Sequence, residues 1–294
     1  MSKNKKTVFS GAATALITPF CNGEIDYKAL SGLIDFQIDG KIETIVIAGT
    51  TGEAPTITWR EYEKLFKFAT KYANGRAKII AGCGTNSTRR STEIAKIAYE
   101  GGCECVLAVT PYYNKPTNQG LVEGFIALAD ASPIPVILYN VPSRTGTNIS
   151  MECYRELSRH ENIVGVKEAS GSISAVADIL TEFGDDLDVY TGNDDMIVPT
   201  MSIGGSGAIS VVSNILPFET GRLCKLCLNG SYKEAAELQL DLIPIIRALF
   251  KETNPIPVKY ALSRLGFCLP EYRLPMCPPT DETKTFIDAV LSSI

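Results

Sequence analysis

The chain has 294 residues, 45% hydrophobic content and a formal net charge of −5 at pH 7, which allows one barrel-sized domain or two smaller ones. The modest negative charge, without long runs of one sign, argues against nucleic acid as a partner. No apolar run approaches the roughly 20 residues needed to cross a bilayer, and residues 1–10 lack the apolar core of a signal peptide, so we expect a cytoplasmic protein without membrane contacts.

Short β-rich apolar runs alternate with amphipathic segments, one of which opens on a capping-box pattern at Thr58 and Glu61. Eight such runs begin near Ala12, Thr44, Lys78, Glu104, Ile134, Ile163, Asp188 and Gly207. Their spacing, roughly 20 to 35 residues, is that of a (β/α)8 barrel. An open doubly wound sheet normally has a glycine fingerprint after its first strand, where residues 18–20 are Thr-Pro-Phe. The pattern therefore predicts an α/β fold of the (β/α)8 TIM-barrel class.

After about Ser213 the pattern is entirely helical. Helices are predicted at residues 218–228, 232–250, 257–265 and 282–293. We interpret them as a C-terminal helical extension of about 70 residues beyond the barrel. No Gly/Ser-rich or Pro-rich linker precedes them, so we expect the two parts to pack together. The predicted domains are a barrel catalytic domain, residues 1–225, and a C-terminal helical domain, residues 226–294.

Polar groups gather where the predicted strands end, which is where barrel enzymes carry their active sites. The second strand ends in residues 49–53 (Gly-Thr-Thr-Gly-Glu) and the fourth in residues 110–116 (Thr-Pro-Tyr-Tyr-Asn-Lys-Pro). The fifth ends in residues 139–146 (Tyr-Asn-Val-Pro-Ser-Arg-Thr-Gly), the sixth in Lys167 and the seventh in residues 191–195 (Thr-Gly-Asn-Asp-Asp). Hydroxyls, tyrosines, an arginine and a lysine are therefore expected on one rim.

Lys167 carries the sharpest chemical hypothesis. It follows the β-branched run at residues 163–166, so we expect it at the exit of a buried strand. Burial disfavours the charged ammonium and lowers the pKa of a lysine, and the neutral amine is a nucleophile that forms a Schiff base with a carbonyl. The structural alternative is a salt-bridged barrel lysine, and Lys167 taken alone does not decide between the two.

The rest of the composition narrows the chemistry. There is a single histidine, His160, whereas a zinc-dependent aldolase or hydrolase typically needs two or three. The nine cysteines are scattered singly or in short pairs, as is typical of reduced thiols in a cytosolic protein. The glycine-rich segment 204–207 precedes the eighth strand, on the wrong face for a phosphate site, which disfavours phosphosugars and pyridoxal phosphate. We expect neither a metal nor an organic cofactor.

Other rim residues also have structural alternatives. Thr50 and Thr51, flanked by glycines, are suited either to a helix cap or to a backbone nest for a carboxylate. Tyr139 is either a packing residue or a functional phenol. Arg144 is either a solvated loop charge or a bidentate ligand for a carboxylate. The two tyrosines at residues 112–113, between prolines, indicate a binding loop or a subunit contact.

Four rim motifs together resemble the dihydrodipicolinate synthase family, the pyruvate-dependent class I aldolases of the lysine and diaminopimelate pathway. The motifs are residues 49–53, 111–113 (Pro-Tyr-Tyr), 139–146 and 165–170 (Gly-Val-Lys-Glu-Ala-Ser), and the likeness covers nearly the whole chain. Each motif is weak alone, but four at the ends of the right strands and in the right order are specific. The resemblance implies a lyase that acts as a homotetramer, a dimer of dimers.

The resemblance also implies catalytic roles. Lys167 is expected to form a Schiff base with C2 of pyruvate, and Tyr139 to donate and accept protons beside it. Thr51 and Tyr113 are expected to complete a hydroxyl relay, with Tyr113 supplied by a neighbouring subunit. Such a chain of hydroxyls passes a proton without leaving a charge stranded.

Substrate-binding residues follow from the same resemblance. Arg144 matches the residue that holds the carboxylate of L-aspartate 4-semialdehyde, the second substrate. Thr50, Thr51, Gly192 and Ile209 match the pyruvate pocket. The implied reaction is a condensation in which the pyruvate enamine attacks the aldehyde and the substrate amine then displaces the lysine.

Three alternatives remain open at this point. A sibling class I aldolase, such as an N-acetylneuraminate lyase or a keto-sugar-acid aldolase, shares the lysine and the tyrosine but does not generally place an arginine as Arg144 is placed. A non-catalytic ligand-binding relative is disfavoured by the joint presence of Lys167, Tyr139, Thr51 and Tyr113. A purely structural barrel would have no use for such a rim.

Feedback by lysine is expected to be weak or absent. Members of the family that lysine inhibits line a regulatory pocket with histidine and glutamate side chains. Asn86 and Tyr112 match that pocket, but Trp59, Tyr62 and Arg90 depart from it. Arg90, in place of a carboxylate, would repel the ammonium group of lysine.

Overall fold

The computed structural model describes residues 6–293. Its strands are β1 (Gly11–Ala15), β2 (Phe20–Cys21), β3 (Glu24–Ile25), β4 (Thr44–Ile47), β5 (Lys78–Gly82), β6 (Cys105–Val109), β7 (Val136–Asn140), β8 (Ile163–Glu168), β9 (Asp188–Thr191) and β10 (Gly207–Ser210). Strands β1 and β4 to β10 are parallel neighbours in chain order, and β10 pairs back with β1 to close a barrel. The predicted TIM barrel is confirmed, and each predicted run contains one barrel strand.

The helices lie between and after these strands. They are α1 (Tyr27–Asp39), α2 (Trp59–Ala73), α3 (Thr88–Glu100), α4 (Asn118–Ala131), α5 (Pro142–Thr145), α6 (Met151–Leu157), α7 (Ile173–Phe183), α8 (Ile197–Ser202), α9 (Pro217–Leu228), α10 (Tyr232–Leu249), α11 (Ile256–Arg264) and α12 (Asp281–Leu291). The capping box at Thr58 and Glu61 opens α2 as predicted. Within residues 6–293, no helix has both the length and the apolar character needed to cross a membrane.

Side chains alternate between two apolar layers, as the two-residue period of a strand requires. One layer fills the space between the barrel and its helices. The other fills the barrel interior and includes Val46, Ile137, Tyr139 and Ile209. In the pairing of β7 with β8, Tyr139 lies beside Lys167, so this register brings the two polar side chains to the same end of the barrel.

The C-terminal helices pack on the barrel through α10, which contacts α8, α9 and α12. The predicted boundary between residues 225 and 226 falls inside α9, the helix that follows the last barrel strand, and the division into two domains stays a prediction.

Arg273, beyond α11, donates a hydrogen bond of 2.9 Å to Glu61 on α2. This bond with the Arg273 guanidinium is the main reason that the pKa of Glu61 falls to about 2.

A buried ion pair joins α11 to the loop after β4. The Lys259 side chain is fully buried and its ammonium contacts the carboxylate of Glu53, which is also buried. The ammonium donates a further hydrogen bond of 3.1 Å to the Glu271 carbonyl. The backbone N–H of Arg273 donates to Glu53 at 3.2 Å. Because Glu53 closely follows Thr51 in the chain, this pair holds the end of a rim loop against the extension.

We expect Lys259→Met to destabilise the protein by about 3–5 kcal/mol, since it leaves the Glu53 carboxylate buried without a counter-charge. The double variant Glu53→Gln/Lys259→Met should recover part of that loss, because neither charge then remains. Urea unfolding monitored by circular dichroism measures both. Lys284→Met, which breaks an exposed pair with Asp281, is the control and should change little. Equal losses for the single and the double variant would contradict the expectation.

Candidate active site

Lys167 is buried at the C-terminal end of β8, with 5% of its surface exposed. Its Nζ atom lies 4.5 Å from the centroid of the Tyr139 ring. Burial lowers its pKa to about 8; the nearby Asp194 carboxylate opposes that shift and the Arg144 guanidinium adds to it. Within residues 6–293 no carboxylate forms an ion pair with Lys167. The salt-bridged alternative therefore does not describe this lysine.

Gly192, after β9, leaves room for the Lys167 side chain. A Cβ atom at this position would lie 2.8 Å from Lys167 Cε and 2.6 Å from Ala169 Cβ. Its backbone N–H donates a hydrogen bond of 2.7 Å to the Glu168 carbonyl, which holds the glycine in place beside β8. Any larger residue here would displace the amine, so Gly192 shapes the site through its lack of a side chain.

Tyr139 is buried beside the lysine, and Thr50 lines the same cavity. Burial raises the pKa of Tyr139, although the Arg144 charge and the nearby Thr50 hydroxyl oppose the rise. The sequence-based assignment placed the neighbouring Thr51 in the hydroxyl relay. Its Oγ1 accepts a hydrogen bond of 2.9 Å from Asn254, and its place in the relay stays a prediction.

A cavity of about 470 Å³ brings most of the predicted site residues together. Its lining includes Thr50, Thr51, Tyr139, Arg144, Lys167 and Gly192. The segment that joins α10 to α11 closes one side, through residues 250–254. A smaller cavity of about 220 Å³ shares Thr50, Tyr139 and Arg144 and extends to Tyr62 and Tyr112. The barrel rim thus offers an enclosed space with one amine, several hydroxyls and a guanidinium.

Two of the predicted site residues lie outside the larger cavity's lining. Ile209 is fully buried in the apolar cluster of the barrel interior. Tyr113 is 92% exposed, in the loop after β6, with a backbone φ of 71°. Its hydroxyl therefore has no contact with the relay inside this chain.

Arg144 lies on the short helix α5 and lines the larger cavity. Its guanidinium donates a hydrogen bond of 3.0 Å to the backbone carbonyl of Asn254. The other N–H groups of the Arg144 guanidinium are available to bind a carboxylate in the cavity.

Sequence reasoning missed two residues of the site. Asp194 is buried after β9 and accepts backbone hydrogen bonds from Val211 and Val212 at 3.0 and 2.8 Å. Burial raises the pKa of Asp194, and its charge opposes the lowering of the Lys167 pKa. Asn254 precedes α11 and contacts both Thr51 and Arg144. Asp194 belongs to the strand-end motif at residues 191–195, so the sequence pattern could have indicated it. Asn254 lies in the helical extension, outside every rim motif.

Comparison with known proteins agrees with this geometry. A sequence profile described as the Dihydrodipicolinate synthetase family matches residues 8–294. The chain belongs to this family. The family predicted from the rim motifs is thereby confirmed.

Individual relatives cover almost the whole length. The chain is 46% identical to a 4-hydroxy-tetrahydrodipicolinate synthase of Caldicellulosiruptor saccharolyticus, over 97% of this chain and 96% of that protein. The crystal structure of dihydrodipicolinate synthase from Aquifex aeolicus superposes with a TM-score of 0.95 at 42% identity, covering 97% of this chain and 98% of that one. The Acinetobacter baumannii enzyme, solved in complex with pyruvate, gives a TM-score of 0.95 at 36% identity, covering 97% and 98%.

The pKa of Lys167 predicts the pH dependence of this family member. Because only the neutral amine attacks a carbonyl, imine formation with pyruvate should accelerate as pH rises through about 8 and then level off. Asp194→Asn removes a charge that raises the pKa of Lys167 and should move the midpoint down. Arg144→Gln removes one that lowers it and should move the midpoint up. Rapid-quench trapping across pH measures both, and shifts of the same sign would contradict the assignment.

Gly192→Ala should slow imine formation at least tenfold, because the added methyl would meet the Lys167 side chain at 2.8 Å. If the Lys167 side chain moves aside to make room, the midpoint of thermal unfolding should stay close to that of the wild type although imine formation slows. Gly32→Ala is the matched control, since a Cβ there meets nothing within 4 Å. A normal rate in Gly192→Ala would show that the lysine does not need this space.

Proposed function

We propose that this chain is a 4-hydroxy-tetrahydrodipicolinate synthase, a lyase that condenses pyruvate with L-aspartate 4-semialdehyde in lysine and diaminopimelate biosynthesis. The observation that carries the proposal is the buried Lys167 amine, without an ion-pair partner within residues 6–293, packed on Tyr139 inside the rim cavity. The relatives named as this synthase support the same activity.

The first half of the reaction is imine formation. The neutral Lys167 amine attacks C2 of pyruvate and gives a carbinolamine. Its hydroxyl leaves as water after it takes a proton, and the imine remains. Tyr139 is placed to supply that proton, because its raised pKa keeps the phenol protonated near neutral pH. Thr50, which lines the cavity together with Tyr139, is the next hydroxyl in this proposal.

The second half joins the two substrates. Loss of a proton from C3 converts the imine into an enamine, whose C3 attacks the aldehyde carbon of the semialdehyde. Arg144, in the lining of the cavity, holds the semialdehyde carboxylate. The substrate amine then attacks the imine carbon, displaces Lys167 and closes the ring, which regenerates the free lysine. The positive charge of Arg144 favours a short acidic aldehyde over the neutral sugar aldehydes of sibling aldolases.

The assembly completes the relay in this proposal. Tyr113 is 92% exposed, so a neighbouring subunit is a suitable place for its hydroxyl to act. We propose a cytoplasmic homotetramer, a dimer of dimers, in which Tyr113 extends into the cavity of an adjacent subunit.

Weak or absent inhibition by lysine also stays a prediction: the Arg90 guanidinium lies 5.4 Å from the Trp59 ring centroid, which places a positive charge near the proposed pocket.

Borohydride reduction in the presence of pyruvate should add a pyruvate-derived group to Lys167, located by peptide mass. Lys167→Ala should abolish the adduct. Lys259 is the internal control, because it is also buried but is paired with Glu53. An unmodified Lys167, or an adduct that persists in Lys167→Ala, would remove the basis of the proposal.

Arg144→Gln should raise the KM for aspartate semialdehyde about 10-fold to 100-fold, the cost of a charge-assisted hydrogen bond to a carboxylate. The KM for pyruvate should change much less. Arg144→Lys keeps the charge but not the planar guanidinium. Its KM for aspartate semialdehyde should lie between the wild-type value and that of Arg144→Gln. Steady-state kinetics with each substrate varied measures this, and an unchanged semialdehyde KM in Arg144→Gln would favour a different second substrate.

A further inference from the structure

The segment between α10 and α11 is part of the cavity wall, although it belongs to the helical extension. Asn254 in this segment is buried and makes two contacts with barrel residues. Its side-chain Nδ2 donates a hydrogen bond of 2.9 Å to Thr51 Oγ1. Its backbone carbonyl accepts one of 3.0 Å from the Arg144 guanidinium. One residue of the extension thus contacts both Thr51 and Arg144, two rim residues that line the cavity.

The side-chain contact fixes the direction of the Thr51 hydroxyl. A hydroxyl has one proton to donate and accepts through its lone pairs. Because the Thr51 oxygen accepts from Asn254, its own proton is left for another acceptor. Thr51 lines the cavity that also holds the Lys167 amine, so a pyruvate carboxylate bound there is a suitable acceptor.

Asn254 has an unpaired oxygen that fits this polarity. Among the residues that the structure describes, its side-chain Oδ1 is buried and has no hydrogen-bond partner. An unpaired buried oxygen costs free energy and calls for an explanation. Rotating the amide would pair this oxygen with the Thr51 proton, but it would consume the proton that the cavity needs. The arrangement keeps Thr51 as a donor.

We propose that Asn254 is a positioning residue that holds the Thr51 hydroxyl as a hydrogen-bond donor to the carboxylate of pyruvate. The inference rests on the proposed function, since it takes pyruvate as the first substrate. It assigns to the C-terminal extension a part in binding that substrate. It also separates the two contacts of Asn254, because a side-chain substitution leaves the backbone carbonyl that Arg144 uses.

Asn254→Asp is the sharpest variant, because it keeps the shape and reverses the polarity. The carboxylate accepts the Thr51 proton and adds a negative charge near the substrate carboxylate. We expect the pyruvate concentration for half-maximal borohydride trapping on Lys167 to rise tenfold or more. The KM for aspartate semialdehyde should stay within about threefold. Asn254→Ala removes the donor without a charge and should give a smaller rise, and it provides the same test if the aspartate variant does not fold.

The pH profile distinguishes positioning from general damage. A protonated aspartic acid again has an O–H to donate to Thr51. The ratio of half-saturation values, Asn254→Asp over wild type at the same pH, should therefore fall as pH decreases. A purely structural defect would leave that ratio constant with pH.

A double-variant cycle with Thr51→Val completes the test. Valine has no hydroxyl, so Asn254→Asp should have a much smaller effect on pyruvate half-saturation in the Thr51→Val background. Equal effects in both backgrounds, or a normal half-saturation in Asn254→Asp, would overturn the inference. Absence of any Lys167 adduct in the wild-type protein would instead overturn the proposed function, so the two failures are distinguishable.

Discussion

The burial of one amine at the mouth of a closed barrel is the constraint around which the site is arranged. A parallel barrel buries its strands on both faces, so a lysine at a strand end is removed from water. That desolvation lowers the pKa of Lys167 to about 8 and makes a neutral nucleophile accessible near physiological pH. Gly192 leaves room for the side chain, and Tyr139 lies against the amine. Asp194 limits the shift, so the amine is tuned by two opposing effects.

The second buried lysine shows what the site avoids. Lys259 is more completely buried than Lys167, but it contacts Glu53 and two aromatic rings. An ion pair favours the charged ammonium, which cannot attack a carbonyl. The same residue type therefore serves opposite purposes in two places. Burial lowers the pKa of both lysines, but of the two only Lys259 forms a direct ion pair, with Glu53, within residues 6–293.

Period and spacing were enough to predict the barrel. Each strand falls in a short apolar run, and closure into eight follows from their number and regular separation. The hairpin of β2 and β3 was not predicted, because two-residue strands have no measurable period. The short helix α5, which carries Arg144, is one turn long and escapes detection for the same reason.

The site was predicted in part. Strand ends are local features, so Lys167, Tyr139 and Arg144 could be placed on one rim from the sequence. The contacts of the Thr50 and Thr51 hydroxyls depend on how the chain turns after β4, which alternation does not determine. Asn254 lies 203 residues from Thr51, and such a contact exists only once the extension has packed. Long-range partners of this kind leave no trace in a single sequence.

That distance has a consequence for the order in which the protein is made. Synthesis proceeds from the N-terminus, and domains fold as they emerge. A nascent chain that has completed β10 possesses every barrel strand and the reactive amine. It still lacks the wall of residues 250–254 and the ion-pair partner of Glu53, so its pocket stays open on one side. A ribosome-bound chain therefore contains the Lys167 amine before it contains the residues that close the pocket. The pocket is completed only late in synthesis.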